Sequence, residues 1–213
     1  MWGNTLGWII SIVLLAGMIL GLRAIDSLQQ LSSPTEFGTS AKTLAKIKLP
    51  VRADTVVPMA APRDAGPIYR EAINDYLAHR DEYDNPEPGE TKSPRGVELL
   101  VSATGCSAMN LFAEHPEELL SHESDQGGLK ALEKLATMTL AMNLRQKDPT
   151  DATRYADAVF SLGAKLFNER VTVGEMQVSL GLMRGGARAI RTNAIKTKAM
   201  ARVGAVDEFL RAL

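Results

Sequence analysis

Apolar positions along the chain fall into distinct regimes, each predicting a different kind of element. From Met1 to Leu22 no side chain is charged, and Leu6 to Leu22 reads LGWIISIVLLAGMILGL, with Ser11 alone clearly polar. A helix from Trp2 to Leu22 spans about 30 Å, the thickness of a bilayer's hydrocarbon core. It is apolar around its whole circumference, whereas a core helix keeps a polar stripe. The pattern predicts a transmembrane anchor over residues 1–24, with Leu6, Trp8, Ile9, Ile10, Ile12, Val13, Leu14, Leu15, Met18, Ile19, Leu20 and Leu22 in lipid. Trp2 and Trp8 mark one headgroup layer, and Arg23 with Asp26 marks the other. The start lacks Lys and Arg, and no small-x-small cleavage site succeeds the apolar run, so a retained signal-anchor is expected rather than a cleaved leader.

The second regime, residues 25–65, has no sustained period. Ile25 to Leu31 prolongs the helix, Ser32, Ser33, Pro34 and Gly38 break it, and Pro50, Pro58 and Pro62 interrupt the rest of the segment. This predicts a connector, a stalk or strap, with one short extended piece in KIKLPVRADTVV and no strand.

Helical periodicity governs residues 66–213. Tyr69, Ile73, Tyr76 and Leu77 share a face of a helix opened by Asp64 and Pro67 and running to about Tyr83. DNPEPGETKSP is a surface loop, and Val97 to Phe112 is expected to be helical with a break at Gly105. Leu129, Leu132, Ala136, Leu140 and Leu144 form the next amphipathic helix. Asp148 and Pro149 end it and cap its successor, where Ala152, Tyr155, Ala156, Val159, Gly163, Leu166 and Phe167 recur at three and four residues. Thr172 with Glu175 is a capping box for a helix carrying the seam Met176, Leu180, Met183, Ala187 and Ile190, and a last helix runs toward Leu213. The fold class is therefore mainly α: the membrane helix, then an up-and-down bundle or stacked helical hairpins. No repeat at a fixed period accompanies it.

Composition agrees: aromatics make up 5% of the chain, too few for a β-sandwich. Acidic and basic residues nearly cancel, 25 against 24, so nucleic acid is not expected as a partner. Cys106 is the only cysteine, which excludes an intramolecular disulfide and a cysteine-based zinc site. No cofactor is expected. Gly17 and Gly21 form a GxxxG pair, a candidate contact for a homodimer of the membrane helix.

Candidate chemistry is sparse. His115, Glu118, His122 and Glu123 are metal-capable side chains without HExxH spacing, and Pro116 followed by carboxylates equally suits a helix start. His79 reads as a surface residue, Cys106 as a small buried one, and Gly127 with Gly128 as a loop. From Met176 to Val206 there is no acid, while Arg184, Arg188, Arg191, Lys196, Lys198 and Arg202 are basic. Arg184, Arg188 and Arg191 flank the seam as candidate anion contacts, although arginine stems also cover core edges.

The leading expectation is a single-pass membrane protein whose helical domain is a non-enzymatic scaffold or protein-interaction module with an unidentified protein partner. The alternatives are an anionic-lipid binder through the basic C-terminal helices and a metal-dependent enzyme using His115 and His122. Loop charges do not decide the side of the membrane.

Overall fold

A computed structural model describes residues 43–44, 46–85, 93–111, 127–170 and 172–213. The predicted anchor, Leu6 to Leu22, and the Gly17–Gly21 pair lie outside the described residues. Among those described, no helix is long and apolar enough to cross a membrane. The fold is mainly helical with one small sheet. In order it comprises β1 (Ala61–Asp64), α1 (Gly66–Ala78), α2 (Arg80–Asp84), α3 (Arg95–Ser102), β2 (Cys106–Ala108), α4 (Gly128–Arg145), α5 (Pro149–Glu169), α6 (Val173–Lys196) and α7 (Met200–Ala212).

Two of the predicted caps form, whereas Asp64 ends β1 and stands one residue ahead of Ala65, the N-cap of α1. Asp148 accepts the Thr150 N–H at 2.8 Å ahead of Pro149. Thr172 and Glu175 exchange both bonds of the capping box that opens α6. Helices α4 to α7 succeed one another through short turns, each packed on the next, as successive antiparallel helices do.

Helix α5 is the centre. Every residue from Ala158 to Phe167 is buried. One side packs on α1, α3 and α4 through Val159, Leu162 and Leu166. The other packs on α6 and α7 through Phe160, Ala164 and Phe167, with Phe160 and Phe209 in an edge contact at 5.0 Å. Glycine makes the α5–α6 crossing close, because a Cβ on Gly163 would stand 2.8 Å from the backbone of Met183 and Ser179.

Three expectations need correction. Val97 to Phe112 is not one helix. Helix α3 stops at Ser102, the chain turns, and Cys106 to Ala108 is a strand parallel to β1, in register Ala61 with Cys106 and Asp64 with Ala108. Three helices separate the two strands along the chain, so no local period announces the pairing. Secondly, the connector is not free of strands, since β1 lies in it, nor is it merely a strap: Val56 and Val57 are buried against α5, α6 and α7. Thirdly, the first helix breaks at His79, whose φ of −121° and ψ of 30° leave the helical region. The break lets the Tyr83 hydroxyl donate to Asp75 and accept the Gly96 N–H at 2.8 Å.

Candidate functional site

Buried polar groups are the first place to look for chemistry, and α5 carries two, Ser161 and Lys165. Lys165 donates to the carbonyls of Ala103 at 2.9 Å and Thr104 at 3.2 Å, and to Ser161 Oγ. An ammonium has three donors, and these acceptors occupy all of them. The carbonyls close α3, where a cation is favoured by the helix dipole. Burial lowers the Lys165 ammonium to about 8, with the neighbouring Cys106 opposing the shift. Tyr69, whose ring centroid lies 5.9 Å from Nζ, is fully buried too, and burial raises its hydroxyl. Closed to solvent and fully bonded, Lys165 joins α3 to α5. Cys106, 2% exposed, is the small buried cysteine expected.

Two arginines serve the fold in the same way. Arg170, lowered by burial, donates to the carbonyls of Leu44, Ile47 and Phe167 and stacks 3.7 Å over the Phe167 ring, fastening the connector to the end of α5. Arg202 on α7 reaches Asp157 on α5 and the Val56 carbonyl. Burial raises the Asp157 carboxyl, and Arg202 opposes this.

The predicted arginine band divides. Arg184 and Arg188 are exposed. Arg191 is not a free anion contact, because its Nε donates to Asp207 at 2.6 Å. Hydrogen bonding and charge from Arg191 hold that carboxyl below its ordinary range. Asp207 lies just beyond the acid-free stretch, and the fold of α7 back onto α6 brings it to Arg191.

Arg188 belongs to a site the sequence does not announce. The C-terminal halves of α4 and α6 and the start of α5 enclose a cavity of about 310 Å³. Its basic lining is Lys147, Arg188 and Lys196, and no carboxylate lines it. Asn143 and Asn193 face each other across it, with Asn193 Nδ2 donating to Asn143 Oδ1 at 2.7 Å. Leu144 on its edge is 84% exposed, the most exposed large apolar side chain among the described residues. The signal for this site is faint but present: Asn143 and Asn193 each sit three residues after an apolar seam position, Leu140 and Ile190.

A larger cavity of about 510 Å³ lies between residues 47–59 and the end of α5, where Lys48 is the one charged lining residue without a partner among the described residues. Arg52 pairs with Asp54 within it, and Arg170 is taken by the connector. His79 is a surface residue whose Nδ1 contacts the Asp75 carbonyl at 3.0 Å. Gly127 caps α4 in extended backbone geometry. His115, Glu118, His122 and Glu123 lie outside the described residues, and among those described no three metal-capable side chains converge.

No protein-family model, curated protein or solved structure matches the chain.

Proposed function

We propose that the chain is a membrane-tethered, non-enzymatic helical module that docks another protein, with residues 1–24 as the tether and the α4–α5–α6 groove as the contact. The observation that carries this reading is the groove itself: a cavity ringed by cations without a carboxylate, edged by the exposed Leu144. Cations of one sign gathered in a cleft attract an oppositely charged partner, and Leu144 adds an apolar contact at its side.

Its place in the bundle supports a protein rather than the tethering bilayer as occupant. The connector is fastened where α5 ends, at Arg170, while the groove lies where α5 begins, at Pro149. The 21 residues of α5 make these points about 31 Å apart. The groove therefore lies at the opposite end of α5 from Leu44 and Ile47, the part of the connector that Arg170 holds.

Two measurements test the reading. Deleting residues 1–24 is expected to move the protein from the membrane fraction to the soluble one. The full chain, solubilised in mild detergent from its own cells, is expected to migrate as a complex that the R188E/K196E double variant reduces to the size of the chain alone. A complex indifferent to these substitutions contradicts the docking site.

A further inference from the structure

Within the groove, the Asn143–Asn193 pair is incompletely bonded. Both residues are more than nine-tenths buried, at 6% and 3% exposure. Their mutual bond uses one donor of Asn193 and one acceptor of Asn143. The Asn143 amide NH₂ and the Asn193 amide oxygen have no partner among the described residues, and both side chains line the cavity. Neither atom is sealed inside the protein, so both are open to a molecule that enters the cavity.

From this pair and the cations around it we infer that the groove binds an acidic peptide segment, its main chain on Asn143 and Asn193 and its carboxylates against Arg188, Lys196 and Lys147. The inference rests on the docking reading and names the chemistry of its partner. A peptide presents a carbonyl and an N–H side by side, matching a free amide donor beside a free amide acceptor. A fully deprotonated anion such as sulfate accepts only, and would face the Asn193 oxygen unfavourably. The cations supply the sign of the side chains: no acid lines the groove, and Asp148, next to Lys147 in the chain, is engaged with the Thr150 N–H. The cavity is at the lower end of the range for ligand sites, about 300–1,000 Å³, which suits a few extended residues better than a helix. Leu140, Leu144 and Ala189 add an apolar wall for an intervening aliphatic side chain.

The test is fluorescence anisotropy with the full chain in mild detergent. The probe is a fluorescein-labelled peptide alternating Glu and Leu, compared with its Gln-for-Glu counterpart. The acidic peptide is expected to bind saturably and to weaken with salt, as exposed charge pairs do. Arg188→Glu or Lys196→Glu is expected to weaken it by about tenfold or more, a loss of one charge contact. Asn143→Leu is expected to weaken it comparably, with the thermal midpoint monitored alongside. Arg184→Glu, exposed but outside the groove, is expected to leave it unchanged. Equal binding of the Gln peptide, indifference to both charge reversals, displacement by inorganic phosphate at ordinary buffer concentration, or preferential capture by phosphatidylserine vesicles through Arg188 and Lys196 each overturns the inference. Should the Glu peptide fail while the cellular complex still depends on Arg188 and Lys196, the docking reading stands and the acidic-peptide reading falls.

Discussion

A Cβ added to Gly186 would lie 2.6 Å from the backbone nitrogen of Phe160, so α5 and α6 meet where only glycine fits. Its neighbour Gly185 faces the groove, where a Cβ would make an ordinary contact of 3.5 Å with Leu140. Adjacent glycines therefore respond oppositely to one methyl group. Gly186→Ala is expected to destabilise by about 1–3 kcal/mol through overpacking. Gly185→Ala is expected to stabilise by about 0.5–1 kcal/mol, because alanine is the better helix former. Urea unfolding of both variants is the check, and equal shifts of the same sign would refute this packing.

Lys165 contributes to the pH dependence of stability on the alkaline side. Its ammonium is lowered from 10.5 to about 8 by burial, so between those values the unfolded chain holds a proton that the native one has released. Stability from this residue therefore rises with pH across that window, by at most about 3 kcal/mol. Below pH 8 both states are protonated and the contribution is flat. Denaturation midpoints on the neutral and alkaline sides of that window should diverge less in Lys165→Met than in the parent, and parallel profiles would exclude the effect.

Acid acts on the sheet end through Asp64. Burial alone would raise this carboxyl, yet hydrogen bonds from the Gly66 N–H at 2.8 Å and the Asn110 N–H at 2.9 Å outweigh it and leave it below its ordinary 3.8. Its stabilisation is complete above the ordinary value and is lost as pH falls through the lowered one. Asp64→Asn should flatten the acid limb of the stability profile. A limb unchanged by the substitution would place the acid sensitivity elsewhere.

The two arginine–carboxylate pairs of the C-terminal region differ in kind. Arg202 and Asp157 are mostly enclosed, with side chains 29% and 19% exposed, so Arg202→Met strands a partly buried carboxylate and should cost on the order of 2 kcal/mol, largely restored by adding Asp157→Asn. Arg191 and Asp207 are more exposed, at 43% and 34%, and Arg191→Met should be close to neutral. Thermal melts of the three variants check the ordering.

Local chemistry was legible in the sequence where the determinants are local. Asp148 with Pro149 and Thr172 with Glu175 are caps completed within three residues, and they locate the starts of α5 and α6. Of the seam Met176, Leu180, Met183, Ala187 and Ile190, the last three are buried as the spacing implies and the first two are half-buried. Distant pairing was not legible: β1 and β2 are a few residues each, and the period of neither suggests the other. The arginine band read from α6 alone could not foresee Asp207, which α7 brings back alongside Arg191. Likewise the groove depends on two asparagines fifty residues apart that become partners only when α4 and α6 pack together.

The most direct measurement places a photo-crosslinking amino acid at Leu144 in the full chain expressed in its own cells, with Leu77 on α1 as an exposed control. The expected result is a discrete protein adduct from position 144, absent from position 77 and lost when R188E and K196E are added. Adducts to lipid alone, or protein adducts from both positions that survive the charge reversals, would contradict the groove as the docking surface.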